Sequence, residues 1–463
     1  MIPTWRLRAA FAHRLSDMYG TEVPAYTTLL DVAGEVNHEA ARENADAERL
    51  GSIERVTAER HGAIRVGTPQ EMRQAAQIFA ALGMHPAGFY DLRDAASSAI
   101  PVISTAFRPL DAAELARNPF RVFTSLLTPA DRRFFDADLQ ARLETFLSRR
   151  EIFAPELLDL AHRAEHEAGL PREQAERFLT LAVAAFELSA EPVDQTWYAE
   201  LERVSAVAAD IGGVSSTHIN HLTPRVLDID RLYRRMGDRG IVMIDEIQGP
   251  PRWEGPDVLL RQTSFRALAE PRRFRRPDGG VTTGSLRVRF GEVEARGIAL
   301  TQVGRALYDE LIAETDRRLA DHPGASGQDL ARDIWRARFP RDERQLAAEK
   351  MAYFTYQPAT RRPHDGQRPP ADLPGLLEGG WITADPIVYE DFLPRSAAGI
   401  FQSNLANEGT RDTTRSGAHY DARRLSETIE RPVHDPFDLY AAQQNDSLRL
   451  ARRALGLSPS ADG

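Results

Sequence analysis

A six-residue phrase occurs twice in this chain, about 160 positions apart, and constrains the fold more than any other feature. His61-Gly62-Ala63-Ile64-Arg65-Val66 and His221-Leu222-Thr223-Pro224-Arg225-Val226 both read H-x-x-x-R-V. A helical pattern follows each. After the first, Thr68 is placed to cap a helix, with Pro69 at its first position and Glu71 three residues past the cap. After the second, Asp228 and Asp230 are candidate caps for a helix carrying Leu232, Tyr233 and Met236. A histidine and an arginine repeated at one spacing imply two copies of one unit, each offering a side chain to a shared site.

The halves can be laid over one another further. Thr105-Ala106-Phe107-Arg108-Pro109-Leu110 and Thr263-Ser264-Phe265-Arg266-Ala267-Leu268 both read T-x-F-R-x-L. Matching phenylalanines set Arg121-Val122-Phe123-Thr124-Ser125 against Arg287-Val288-Arg289-Phe290-Gly291-Glu292, so that Glu292 falls opposite Ser125. Strand candidates lie at 101–107 and 120–127 in the first half, and at 240–247, 258–265 and 285–294 in the second. Each half is then a strand, a helix and two or three strands. The expectation is an α+β fold: two βαβββ-like units, 61–128 and 211–300, sharing one metal in a half-barrel. Residues 129–210 repeat apolar positions at spacings of three and four and read as an all-helical insertion. Its charges are spread and no His/Asp/Glu cluster stands out, so a structural role is expected. Helical flanks are expected at 1–60 and 301–463. The latter contains a Pro-rich linker or loop (357–374), an ordered segment (381–404), a mobile polar stretch (407–424) and a last helix (436–455).

On a strand, side chains alternate faces. His61, Ala63 and Arg65 therefore point one way, as do His221, Thr223 and Arg225, and as do Phe290, Glu292 and Glu294. Carboxylates beside a strand phenylalanine are costly to bury unless paired or bound to a metal. With Ser125 opposite Glu292, the halves supply two histidines and one carboxylate. That count is the donor set of a metal site with positions left open for substrate and oxygen. His218 competes with His221 but would face away from it as a strand neighbour, which leaves it as a candidate for outer support of the ligands. Glu294 reads as a partner for Arg296 or Arg289, or as outer support for the metal ligands. Arg65 and Arg225 read as salt-bridge partners or, beside a metal, as clamps on a substrate carboxylate.

Composition removes several classes of chemistry. The chain has 463 residues and no cysteine, so disulfides, thiolate metal sites and a cysteine nucleophile are excluded. Lys350 is the only lysine, and it sits in a charged helical run, which disfavours Schiff-base chemistry. A net charge of -10 gives no electrostatic reason to expect nucleic acid. The N-terminus lacks the apolar core of a signal peptide, and no apolar run approaches the roughly 18 residues that span a bilayer. A cytoplasmic protein without membrane contact is expected.

Four segments carry a family resemblance: Glu59-Arg60-His61-Gly62-Ala63-Ile64-Arg65-Val66-Gly67, His218-Ile219-Asn220-His221-Leu222-Thr223-Pro224-Arg225, Phe290-Gly291-Glu292-Val293-Glu294-Ala295-Arg296-Gly297 and Ser396-Ala397-Ala398-Gly399-Ile400-Phe401. They resemble the 2-oxoadipate dioxygenase/decarboxylase family, whose members are also called hydroxyglutarate synthases and are similar to vicinal oxygen chelate proteins. The resemblance covers most of the chain. It implies a mononuclear Fe(II) held by His61, His221 and Glu292, a substrate arginine at Arg65, and a contact to the distal carboxylate at Arg395-Ser396. The chain departs from the family pattern at Arg395, where a small apolar residue is expected. The implied reaction takes 2-oxoadipate and O2 to 2-hydroxyglutarate and CO2, a step in lysine breakdown. Two other readings stand beside it: an Mn(II) or Zn(II) isomerase or lyase acting on a 2-oxo diacid, and a non-enzymatic ligand-binding protein.

Overall fold

The computed structural model describes residues 1–43, 47–95, 98–322, 324, 326–361, 366, 368–404 and 409–458. Its central sheet has five strands, in the order His85–Asp91, Val102–Arg108, Arg121–Leu127, Arg60–Val66 and Ile219–Pro224. The His61 strand (Arg60–Val66) runs parallel to Arg121–Leu127 and antiparallel to the His221 strand (Ile219–Pro224). Beyond the His221 strand, the chain continues to the Glu292 strand (Glu292–Arg296) through a parallel bridge between Arg225 and Glu294. The Glu292 strand pairs antiparallel with Leu260–Ser264. Bridges from Met243 to Phe265 and from Gln248 to Gln262 come next. The order of pairing is thus the same on both sides of the His61–His221 pair.

Local sequence explains the elements around this sheet. The helix Pro69–Ala81 carries the expected capping box, with the Thr68 side chain accepting from the Glu71 amide and the Glu71 carboxylate accepting from the Thr68 amide. Gly83 follows its end with φ of 68°, the left-handed conformation a glycine adopts without a Cβ penalty. The helix Ile229–Asp238 is capped by Asp228, whose side chain accepts from the Arg231 amide. The long N-terminal helix Thr4–Glu22 buries Leu7, Phe11, Leu15 and Tyr19. Its Tyr19 hydroxyl donates to the carbonyls of Asn220 (3.0 Å) and Phe290 (2.7 Å), tying the His221 strand to the approach of the Glu292 strand.

Several expectations need correction. The strand His85–Asp91 has no clear alternating signature. It holds Pro86 and Gly88 and is bulged between Ala87 and Tyr90, which is tolerated because it lies at the sheet edge. Residues 240–247 are irregular chain held by one isolated bridge, Met243 to Phe265, rather than a strand. The expected strand 285–294 is two features: the end of an exposed hairpin, Glu270–Arg275 with Val281–Leu286, and the separate buried Glu292 strand. Within 357–374, the chain begins as the end of a strand, Phe354–Pro358, and closes on a helix, Leu373–Glu378; residues 362–365 and 367 lie outside the described residues. The polar stretch 407–424 was expected to be mobile. Its first two residues lie outside those described, but from Gly409 onward it is pinned, with the Thr410 amide donating to Val204 (2.9 Å) and the Asp412 amide to Arg133 (2.8 Å).

Residues 129–210 are mainly helical: Ala137–Leu147, Pro155–His166, Arg172–Ala184, Gln195–Val204 and the start of Ala206–Gly212. Two short strands interrupt them. Gly169–Leu170 pairs with Ile2–Pro3, and Val193–Asp194 runs parallel to part of the exposed hairpin. Among the described residues, no helix is long and apolar enough to cross a membrane.

Candidate metal centre

The antiparallel register sets Ala63 opposite His221 and His61 opposite Thr223, so both histidines emerge on one face of the sheet. Glu292 reaches the same place from the first residue of its strand. One ligand atom from each of His61, His221 and Glu292 lies within 4.8 Å of the others, and all three residues are buried. His61 Nε2 is 3.5 Å from Glu292 Oε2, and His221 Nε2 is 3.5 Å from Glu292 Oε1. The imidazole rings stand edge to face, 5.5 Å apart. Phe290 stacks on His221 at 5.2 Å, and Phe392 packs against His61 at 4.9 Å.

The donor chemistry fits a cation. Glu292 is approached by Thr223 Oγ1 (3.5 Å) and Gln262 Nε2 (3.3 Å), and its ion-pair contacts within 4 Å among the described residues are the two histidines. Burial pushes its pKa up, as it must for a carboxylate far from a guanidinium. Burial, followed by His61 and Arg65, pushes the His221 pKa well down, so its ring is neutral with a lone pair to donate. Burial opposes a proton on His61 too, but Glu294 and Glu292 outweigh it and raise its pKa. A divalent ion would take the place of a proton on Nε2 and be balanced there by Glu292.

Glu294 supports His61 from behind. Its Oε2 lies 2.9 Å from His61 Nδ1, while its two oxygens accept from Arg296 Nε (2.7 Å) and Nη2 (2.9 Å). Burial would raise its pKa, but Arg296, His61 and Arg121 hold it down at about 2. An ionised carboxylate at Nδ1 favours the tautomer that leaves Nε2 free for a metal. Glu294 thus has Arg296 as its ion partner and also stands behind His61. Arg289 instead pairs with Glu270 and Glu22.

Behind this pair lies a buried ionic cluster. Glu59 takes Arg121 at 2.6 Å and Arg225 at 2.9 Å, and Arg121 also binds Glu390 at 2.6 Å. Arg225 thus acts structurally, its second amino group donating to the Leu50 carbonyl at 2.8 Å. The register also changes the alignment of the halves. Arg65 is paired with Ser125, whereas Arg225 is bridged to Glu294. By pairing, Ser125 corresponds to Glu294 and Phe123 to Glu292. The shift of two residues preserves the face, which is why the phenylalanine matching still led to a ligand.

The other candidate residues separate into two groups. Arg65 is buried at the far end of the His61 strand, with Nη1 on Asp210 Oδ2 at 2.5 Å and its guanidinium 5.0 Å from the Phe401 ring centre. His218 does not join the candidate ligands His61, His221 and Glu292. Its Nε2 lies 3.5 Å from Asp210 Oδ1 and 3.1 Å from Asn220 Nδ2. Ser396 is buried in the helix Pro394–Asn404, which carries Phe401 to Arg65 and ties Asn404 to Ser264 Oγ at 2.8 Å. Arg395, one residue earlier, turns outward to pair with Asp316 at 2.5 and 2.8 Å; its side chain is 59% exposed. The side chain thus leaves the site, and only the backbone of Arg395 is available to it.

Sequence reasoning passed over Asp210, Gln262, Phe392 and Phe401. Gln262 lies opposite Glu294 across a strand pair, a relation only the register reveals. Phe401 closes the fourth family-like segment but offered no signal of its contact with Arg65.

A family model described as 2-oxoadipate dioxygenase/decarboxylase matches residues 11–404. A relative of that name from Mycobacterium bovis is 54% identical over 448 residues, covering 97% of this chain and 99% of its own length. Another from Escherichia coli is 40% identical over 450 residues, covering 96% and 97%. The crystal structure of hydroxyglutarate synthase from Pseudomonas putida in complex with 2-oxoadipate superposes with a TM-score of 0.83 at 36% identity, over 99% of each chain. A match of this extent, with relatives alike from end to end, leads to one assignment: the chain belongs to the 2-oxoadipate dioxygenase/decarboxylase family.

Proposed function

We propose that this protein is an Fe(II)-dependent dioxygenase/decarboxylase that converts 2-oxoadipate and O2 to 2-hydroxyglutarate and CO2, serving lysine breakdown. The observation that carries the reading is the convergence of His61, His221 and Glu292 within 4.8 Å, in a chain of this family. Two neutral nitrogens and one carboxylate suit Fe(II) and leave positions open for a chelating substrate. When bound, the iron would supply chelation of the 2-oxo acid and activation of O2. The strand order supports reading the two halves as copies of one βαβββ unit of the vicinal oxygen chelate kind, joined across the His61–His221 pair.

The chain's own residues have separate tasks in this reading. Glu294, 2.9 Å from His61 Nδ1, favours a proton on that nitrogen by its charge and so leaves Nε2 for the metal. Thr223 and Gln262 orient Glu292. Arg65 binds a carboxylate of the substrate and stabilises its charge. The rings of Phe392, Phe123 and Phe290 keep water from the ligand side of the histidines. The backbone at Arg395-Ser396 meets the distal carboxylate.

The test is product analysis by mass spectrometry after incubating iron-loaded protein with 2-oxoadipate in air. Formation of 2-hydroxyglutarate carrying two oxygens from 18O2, one in the new carboxylate and one in the hydroxyl, supports the proposal, because the CO2 leaves with both oxygens of the substrate's own carboxylate. Turnover to another product, or turnover that persists without oxygen, contradicts it.

A further inference from the structure

Arg65 is one of several buried arginines around the site with an unpaired guanidinium nitrogen among the described residues; Arg121 leaves Nε and Nη1 so, and Arg225 leaves Nε. Arg108 meets Asp391 with two nitrogens, at 2.8 and 3.0 Å, and Arg296 meets Glu294 with two, at 2.7 and 2.9 Å. Arg65 meets Asp210 with Nη1 alone. Its Nη2 is buried and has no hydrogen-bond partner among the described residues. A buried N–H left unpaired costs about 1–3 kcal/mol. Arg121 nevertheless lies among three carboxylates, Glu59, Glu294 and Glu390, whereas the one carboxylate within 4 Å of Arg65 among the described residues is Asp210. Arg65 Nη2 is thus a buried donor with no second carboxylate in reach among the described residues.

Asp210 is itself held on several sides. Oδ2 accepts from Asn220 Nδ2 at 3.0 Å, and Oδ1 lies 3.5 Å from His218 Nε2. Asn220 lies where the register of the His61–His221 strand pair shifts, Ala63 facing His221 and Ile64 facing Ile219. Such an irregularity re-aims a side chain. Asp210 belongs to the helix Ala206–Gly212, whose cap Ser205 accepts from the Val207 amide and donates to the Ala99 carbonyl. Opposite it, the Phe401 ring lies 5.0 Å from the Arg65 guanidinium. The guanidinium therefore has one fixed nitrogen, one covered face and one free nitrogen.

We infer that Asp210 is a positioning residue for the substrate: it holds Arg65 by Nη1 so that Nη2 is presented to a carboxylate of the 2-oxo diacid. This rests on the function proposed above. It also gives the end of the helical region between the two halves a task at the site, delivered by a helix rather than by the sheet. Preorganisation of this kind lowers the cost of ordering a long cationic side chain when the anion arrives.

The experiment is calorimetric titration of the anaerobic, Fe(II)-loaded protein with 2-oxoadipate. It compares wild type, Asp210→Asn, Asp210→Ala, Arg65→Ala and the double variant Asp210→Ala/Arg65→Ala, with iron content and Tm measured for each. Asp210→Ala should weaken binding by about tenfold, with iron content unchanged. Asp210→Asn keeps an acceptor oxygen in place and should lose less. In the Arg65→Ala background, removing Asp210 should cost nothing further, because its effect passes through Arg65. The inference is overturned if Asp210→Ala binds 2-oxoadipate as tightly as wild type, if the two losses add, or if iron is lost with Asp210. Should Asp210→Ala fail to fold, Asp210→Asn takes its place, and either wild-type affinity in that variant or a loss that adds in full to the loss of Arg65→Ala overturns the inference equally. Failure of the wild-type protein to bind 2-oxoadipate would instead remove the proposed function, a different outcome from normal wild-type binding without coupling.

Discussion

His61 Nδ1 lies 2.9 Å from Glu294 Oε2, which places a carboxylate directly behind the ring whose other nitrogen faces Glu292. Glu294 is anchored in turn by Arg296. Replacing it with glutamine keeps the volume but removes the charge that fixes the Nδ1 proton. Glu294→Gln should weaken iron binding by about 10- to 100-fold. Competition with a chelator of known affinity measures this, and an unchanged affinity would contradict the role.

The Arg108–Asp391 pair joins the first half of the chain to the segment carrying Phe392. Both side chains are buried, and the Tyr440 hydroxyl also donates to Asp391. Asp391→Ala leaves a buried guanidinium without its counter-charge. A destabilisation of about 3–5 kcal/mol is expected in denaturant unfolding. A loss below about 1 kcal/mol would mean that Arg108 finds another partner.

Arg395→Ala should be nearly silent. Its ion pair with Asp316 is at the surface, where such pairs contribute roughly 0–1 kcal/mol. Because the side chain points away from the site, KM for 2-oxoadipate and the preference among 2-oxo diacids of different length should stay within about twofold of wild type. A large shift in chain-length preference would show that the side chain turns inward during catalysis.

Burial holds His218 neutral and pushes its pKa down to about 4 from the ordinary 6.5, against the pull of Asp210. Below about pH 6.5 the unfolded chain takes up a proton at this residue while the folded chain does not. Its contribution is therefore fully present above that pH and is lost as pH falls toward about 4, by roughly 3 kcal/mol at most. Denaturation midpoints measured at pH ~7 and ~4.5 should fall less in His218→Gln than in wild type. Equal falls would show that His218 is not buried in its neutral form.

The candidate ligand cluster was legible in part: strand alternation and a repeated histidine are local signals, and they point to the three buried residues that converge, His61, His221 and Glu292. His61 and His221 needed only one face each, and Glu292 needed only a carboxylate in an apolar strand. Asp210 was not legible. It meets Arg65 across 145 positions, and an aspartate in an amphipathic helix looks the same whether it faces water or a buried guanidinium. The strand at His85–Asp91 was hidden by Pro86 and Gly88, which an edge strand accommodates and a sequence pattern penalises. Arg395 was placed near the substrate by its neighbour Ser396, yet adjacent helical residues point about 100° apart, so one is buried and the other exposed.

The central claim is that His61, His221 and Glu292 form one iron site that couples oxygen use to loss of carbon dioxide from 2-oxoadipate. The most direct measurement follows O2 uptake and CO2 release together, in iron-loaded wild type and in His61→Ala. The account predicts equal molar amounts of O2 consumed and CO2 released by the wild type, with both lost in His61→Ala along with bound iron. Uptake and release in unequal amounts, or turnover surviving in His61→Ala, would contradict it.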